Sequence, residues 1–181
     1  MSALATVSIF VAVAALALVI TPIVRWYVRY RGIRLVTCPE TKAPAAVEVD
    51  AFQVALSEGG AHKLRLKECS RWPERENCGQ DCLGQIEASP EDCLVRSIIT
   101  KWYEGKSCAV CGKAIGRIDW LEHQPGVLGP DRKTALWSEF RPEELPEVMA
   151  TRLPICWNCH IASAFRSQFP DLVVDRPWKK H

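Results

Sequence analysis

The chain lacks the sequence patterns typical of most enzymes and of nucleic-acid-binding proteins. It has no glycine-rich phosphate loop, no nucleophile elbow and no carboxylate pair at a spacing typical of acid–base catalysis. Its 23 basic residues barely exceed its 21 acidic ones, and four arginines fall together at residues 25–34, so the rest of the chain is slightly acidic. Proteins that bind nucleic acid neutralise phosphates with clustered basic side chains. The composition therefore argues against nucleic acid as a partner, and none of these three enzyme patterns is present.

Charge is also missing near the N-terminus. Residues 3–24 form a run of 22 residues without a charged side chain. As a helix rising about 1.5 Å per residue, this run spans roughly 33 Å, which is enough to cross the hydrocarbon core of a bilayer. A cleaved signal peptide is the alternative, and it predicts a basic segment before the run and a small-residue cleavage site after it. The sequence has neither feature, which favours a retained transmembrane anchor.

Aromatic and basic residues follow this run in the pattern of an interfacial belt, where rings and cations lie at headgroup level. They are Arg25, Trp26, Tyr27, Arg29, Tyr30, Arg31 and Arg34. Because cytoplasmic flanks carry the excess of basic residues, the C-terminal part is expected in the cytoplasm. The sequence thus predicts a single-pass protein of a bacterial inner membrane, with the lipid bilayer and a protein at the membrane, of unknown identity, as partners.

The remainder of the chain predicts an α+β fold with short antiparallel strands. Apolar and charged residues alternate at residues 33–36, 47–50 and 63–67, and the last two segments carry opposite charges, as neighbouring strands would. A turn is expected at Gly59-Gly60, and a further strand at residues 115–120. Ser89-Pro90 followed by two acidic residues predicts the start of a helix.

These patterns divide the chain into four parts. The parts are an anchor with its belt (1–31), a strand-rich, cysteine-containing region with one helix (32–105), a metal-binding module (106–170) and a tail (171–181).

The nine cysteines carry the clearest chemical signal. Nine is an odd number, so disulfides within one chain cannot use all of them. Two pairs, Cys108-Ala-Val-Cys111 and Cys156-Trp-Asn-Cys159, have the C-x-x-C spacing of metal ligands. Together they predict a tetrahedral structural zinc site in a treble-clef or zinc-ribbon-like C-terminal part, with packing cysteines or two local disulfides as the alternatives. Thiols held on metal imply a reducing compartment.

The other five cysteines allow a second site. Cys69, Cys78 and Cys82 could supply three ligands to a second zinc ion, with Cys38 or Cys93 as the fourth. An iron–sulfur cluster held by Cys69, Cys78, Cys82 and Cys93 is a variant of this interpretation. The same thiols could also serve only in packing, and the spacing does not decide between these roles.

The second C-x-x-C pair also matches the pattern of covalent haem attachment. Cys156 and Cys159 would then form thioethers and His160 would be the axial ligand, with Met149 or His123 opposite. In this interpretation the chain is an exported electron-transfer protein. The expected cytoplasmic orientation favours zinc instead.

Residues 108–165 resemble the zinc-bearing HNH module. The resemblance rests on three motifs, Cys108-x-x-Cys111, Glu122-His123 before Pro125, and Cys156-x-x-Cys159-His160. It implies a treble-clef fold, and in a nuclease of this family His123 would be the general base while Glu122 and His160 would hold a catalytic metal. The chain departs from the family motif because its only asparagines are Asn77 and Asn158. Binding or scaffolding at the membrane is therefore the preferred function, with electron transfer and nuclease activity as alternatives.

Overall fold

The computed structural model describes residues 3–57, 64–74 and 77–172. These residues fall into two compact units, Met1–Ser97 and Ile98–His181. The predicted turn at Gly59-Gly60 and the predicted tail from residue 173 onward lie outside the described residues.

A single long helix, α1 (Ala3–Tyr30), opens the first unit. Its segment Val7–Tyr30 is long and apolar enough to cross a membrane, and the side chains of its most apolar part are exposed in the isolated chain. A signal sequence near an N-terminus can meet the same criteria of length and apolar composition. The structure therefore confirms the apolar helix, whereas its retention in a membrane stays a prediction.

The first unit contains a three-stranded antiparallel sheet in the order β1-β2-β3. Its strands are β1 (Ile33–Thr37), β2 (Pro44–Val49) and β3 (Leu66–Cys69), and its short helices are α2 (Ala51–Leu56) and α3 (Leu83–Ala88). Lys67 Nζ lies 3.2 Å from Glu48 Oε1 across β2 and β3. This pair agrees with the opposite charges of the two predicted strands.

Alternation along β2 places one face of this sheet in a small core. Ala45, Val47 and Val49 are buried, while the residues between them are partly exposed. Val54 of α2 and Ile86 of α3 cover the same core and are almost completely buried. A core with so few large side chains contributes limited stabilisation by itself.

Arg34 lies in this core, although the sequence pattern assigns it to the headgroup belt. Its side chain is fully buried, and its guanidinium donates to Arg29 O at 2.6 Å, to Tyr30 O and to Pro90 O at 3.3 Å. The last carbonyls of a helix lack partners within the helix, and a cation offsets their partial negative charge. Arg34 therefore caps the C-terminal end of α1 and attaches it to the first unit.

The other belt residues divide between the surface and the core. Arg25, Tyr27, Arg29 and Arg31 are exposed. Trp26 packs against the core of the first unit and stacks on the buried Tyr30, with 5.8 Å between ring centroids. Three arginines thus remain exposed at the C-terminal end of α1 and just after it, and the orientation of the chain stays a prediction.

Helix α4 (Val95–Tyr103) begins later than the sequence predicts. The predicted start at Ser89 is wrong, because residues 90–93 form a turn and Leu94 forms an antiparallel bridge with Arg34. Leu35 N also donates to Cys93 O at 2.8 Å. Pairing with β1 therefore replaces the first turn of the predicted helix.

The second unit contains a second antiparallel sheet, in the order β5-β4-β6. Its elements are β4 (Gly126–Leu128), β5 (Thr134–Ala135), α5 (Leu145–Thr151), β6 (Leu153–Ile155) and α6 (Trp157–Gln168). Short 3₁₀ turns lie at Trp137–Glu139, Pro142–Glu144 and Pro170–Leu172. The predicted strand at residues 115–120 is wrong, because this segment is irregular apart from a bridge between Asp119 and His123. Two small sheets with helices confirm the α+β class.

Tyr103, at the end of α4, joins several elements of the second unit. Its hydroxyl accepts from Trp137 Nε1 at 2.9 Å and donates to Gly126 O. Burial raises the pKa of Tyr103 well above its usual value, so the hydroxyl keeps its proton and stays a donor. This buried contact links α4, β4 and the turn that contains Trp137.

We expect Arg34→Met to lower the free energy of unfolding of the first unit by about 2 kcal/mol, because it removes the charged hydrogen bonds to the end of α1. In the full chain in detergent, hydrogen–deuterium exchange of the β1 and β2 amides should then accelerate about 30-fold. The exposed Arg31 provides the matched control, and Arg31→Met should leave the exchange unchanged. Equal exchange in both variants would show that Arg34 does not hold the unit together.

Candidate metal centre

Four thiols from two distant segments meet in the second unit. The Sγ atoms of Cys108, Cys111, Cys156 and Cys159 all lie within 4.8 Å of one another. Cys111 Sγ and Cys156 Sγ, which come from different segments, are 3.8 Å apart. Sulfur ligands about 2.3 Å from a tetrahedral ion are separated by about 3.8 Å. The cluster therefore has the dimensions of a site that binds one metal ion through four thiolates.

A tight turn presents the first pair of thiols. Cys108 N donates to Lys113 O at 2.8 Å, and Gly112 N donates to Cys108 O at 2.9 Å. Gly112 has a φ of +72°, a conformation that glycine adopts without steric cost. The chain thus reverses direction within a few residues, and this reversal brings Cys108 and Cys111 together.

The second pair lies at the start of α6. Cys156 immediately precedes the helix and Cys159 lies in its first turn, where His160 N donates to Cys156 O at 3.0 Å. Ala109 N donates to Pro154 O at 2.9 Å, which ties the first turn to β6, the strand directly before Cys156. This backbone hydrogen bond holds the two C-x-x-C segments side by side.

The thiols have unequal proton affinities. Burial acts to raise the pKa of Cys108, but backbone hydrogen bonds from Cys156, Cys111 and Val110 outweigh it and lower the pKa to about 6. Burial and the neighbouring thiols raise the pKa of Cys159, and burial also raises that of Cys156. A second thiolate beside the first is unfavourable unless a cation offsets the charge, and a bound metal ion deprotonates its thiol ligands. The cluster therefore suits a cation.

The ligand set defines the kind of metal site. Thiolate ligands select soft ions such as zinc or copper(I), or iron. An ion that binds all four sulfur atoms in a tetrahedron has no open position for water or substrate, so its role is structural.

His160 directly follows Cys159 and is 7% exposed. Its Nδ1 is 3.1 Å from Thr134 Oγ1 of β5. The backbone of Gly126 passes close to the same ring, since a Cβ built there would lie 3.4 Å from His160 Nδ1 and 2.8 Å from Ala135 O. The hairpin of β4 and β5 therefore supports the first turn of α6. Neither Thr134 nor Gly126 is singled out by a sequence motif.

The residues of the nuclease interpretation are only partly brought together. Glu122 and His123 are exposed and form a group with Asp119 whose ligand atoms lie within 4.8 Å of one another. The sequence motifs do not single out Asp119 as a metal ligand, although it lies only four residues before His123. The rings of His123 and His160 both contact Trp157, at centroid distances of 6.1 and 6.0 Å. The backbone N–H groups of Leu121 and Glu122 donate to Asp119 Oδ1, and these hydrogen bonds lower the pKa of Asp119.

The remaining candidate ligands lie in the first unit. Cys38, Cys69, Cys78 and Cys82 line one cavity there. The Cys93 Sγ donates to Gln85 O at 3.6 Å.

In comparisons with protein-family models, with curated proteins and with solved structures, none matches this chain.

We expect Gly126→Ala to weaken the metal centre, because the added Cβ would meet Ala135 O at 2.8 Å and displace β5 from His160. Overpacking of this kind costs about 1–3 kcal/mol. Transfer of the metal ion to a competing chelator should therefore be roughly tenfold faster than in the wild-type chain. Gly116→Ala is the control, since a Cβ at Gly116 meets nothing within 4 Å. Equal transfer rates in the two variants would contradict the supporting role of the hairpin.

Proposed function

We propose that the chain is a single-pass membrane protein whose C-terminal unit is built around a structural zinc ion. The ligands are Cys108, Cys111, Cys156 and Cys159. The convergence of these four thiols within 4.8 Å carries the proposal. Zinc is the ion that most commonly occupies tetrahedral sites made of four cysteines, and it has no redox chemistry that would expose the thiols to side reactions.

The order of elements around the thiols supports a treble-clef-like arrangement. A tight turn carries the first pair and the hairpin of β4 and β5 follows. The second pair lies at the start of α6, with Cys156 directly before the helix and Cys159 in its first turn. A zinc ion at this point would join the two ends of the unit. Such an ion gives rigidity to a domain whose own core is small.

The proposed role is binding or scaffolding for a protein partner at the membrane. Four protein ligands leave the zinc ion without catalytic function, so the ion serves to hold a surface in shape. The exposed Arg25 and Arg29 at the C-terminal end of α1, and Arg31 just after it, support an orientation with both units in the cytoplasm. A reducing cytoplasm also suits thiols that act as ligands.

The proposal makes a specific prediction for Cys111, whose side chain is exposed. An exposed free thiol reacts with alkylating agents, whereas a thiolate bound to zinc is protected. In the full chain in detergent, Cys111 should resist alkylation until a chelator removes the metal, as followed by peptide mass spectrometry. Zinc analysis of the same sample should give a molar equivalent or more per chain.

Cys156→Ser provides the matched control for this experiment. It leaves the turn around Cys111 intact but removes one ligand, so Cys111 should react without any chelator. Rapid alkylation of Cys111 in the metal-loaded wild-type chain would contradict the proposal. A porphyrin absorption spectrum, together with a C-terminal reporter that is active only outside the cytoplasm, would establish the haem alternative instead.

A further inference from the structure

The first unit contains a second set of converging cysteines. Cys38 follows β1, Cys69 ends β3, and Cys78 and Cys82 lie in the segment before α3. All four line one cavity of about 30 Å³. That volume is on the order of one water molecule, so the cavity suits a single ion rather than an organic ligand.

The turn after Cys38 repeats the backbone pattern of the turn after Cys108. Cys38 N donates to Ala43 O at 2.9 Å, and Lys42 N donates to Cys38 O at 2.8 Å. The same two hydrogen bonds, at the same spacing, close the turn that begins at Cys108. Lys42 has a φ of +56°, and Gly112, at the same position of the other turn, also has a positive φ. The chain therefore contains two copies of one cysteine-presenting turn.

The two turns differ in the residue that stands three positions after the first cysteine. Thr41 occupies the position that Cys111 has in the other turn, three residues after the first cysteine. The turn at Cys38 thus offers one thiol where the turn at Cys108 offers two, so further ligands must come from other segments.

Cys69 is presented in a similar manner. Arg71 N donates to Cys69 Sγ at 3.5 Å, and Trp72 N donates to Cys69 O at 3.0 Å. The Arg71 N–H group thus points at the Cys69 sulfur atom, and both residues line the cavity.

Two glutamine side chains hold the segment of Cys78 and Cys82 against the strands. Gln85 of α3 bonds both backbone groups of Thr37, accepting from Thr37 N at 3.0 Å and donating to Thr37 O at 2.7 Å. Gln80 Oε1 accepts from Leu66 N of β3 at 3.1 Å. The first contact places Cys82 near the end of β1 and the second places the segment beside β3. The fold of the unit therefore brings the four cysteines to the wall of one cavity. Their Sγ atoms do not all lie within 4.8 Å of one another, as those of the cluster in the second unit do, so a bound ion would draw them closer.

We propose that Cys38, Cys69, Cys78 and Cys82 bind a second structural zinc ion, independent of the ion in the C-terminal unit. Each thiol releases its proton to solvent as the ion binds. Cys93 is not a ligand, because its thiol donates to Gln85 O and it is not among the described residues that line the cavity. The first unit is then held by metal in the same way as the second.

Zinc content of the full chain, purified in detergent under reducing conditions, tests this proposal. We expect about two zinc ions per chain in the wild type and about one in Cys78→Ser. Cys93→Ser changes a cysteine of the same unit outside the cavity and should keep both ions. Cys111→Ser should lose the other ion, and the double variant Cys78→Ser/Cys111→Ser should lose both.

The pattern of losses separates the two proposed sites. One ion in the wild type that is lost in Cys111→Ser and kept in Cys78→Ser would overturn the second site and leave the first intact. One ion lost only in Cys78→Ser would overturn the first site instead. If the wild-type chain contains iron and sulfide and Cys78→Ser contains neither, the assignment to zinc would be overturned.

A measurement on the wild-type chain avoids any folding defect of the variants. Cys38, Cys69, Cys78 and Cys82 should become at least tenfold more reactive towards an alkylating agent when a chelator is added. Cys93 should react with the alkylating agent at the same rate with and without the chelator. If Cys78 is alkylated equally fast with and without the chelator, the second site does not exist.

Discussion

The second unit depends on the approach of Cys108 and Cys111 to Cys156 and Cys159. Its strands are two or three residues long, which leaves little backbone pairing to fix the chain. Structural zinc sites contribute about 10–16 kcal/mol to folding, whereas whole domains are stable by only about 5–15 kcal/mol. An ion at this cluster would therefore decide whether the unit folds. The backbone hydrogen bond between Ala109 and Pro154 aligns the two ligand segments but is far weaker than metal binding.

The first unit adds a different constraint, which acts on the apolar helix. Arg34 fills a core position of β1 and bonds the carbonyl oxygens at the end of α1. Only residues 31 and 32 separate the helix from the strand. The direction of the helix is therefore fixed relative to the sheet of this unit. If α1 spans a bilayer, the contacts of Arg34 with the end of α1 set the orientation of the cavity lined by Cys38 relative to the membrane surface.

Local sequence patterns predicted the features that depend on near neighbours. The charge-free run gave α1, the alternation at residues 47–50 gave β2, and C-x-x-C spacing identified ligand pairs that the fold then brought together. Features that depend on distant partners were missed. The basic character of Arg34 suggested the headgroup region, because its carbonyl partners are found only once α1 and β1 meet. Ser89 looked like a helix start because the pairing of Leu94 with Arg34 is invisible in the sequence.

Both units present a cysteine on the same kind of turn, and the convergence of four thiols in the second unit is the basis of the proposed function. X-ray absorption at the zinc edge of the purified full chain tests it most directly. We predict that each zinc ion has four sulfur neighbours at about 2.3 Å. A spectrum dominated by nitrogen or oxygen neighbours at about 2.0 Å, or a folded chain without zinc, would contradict the account.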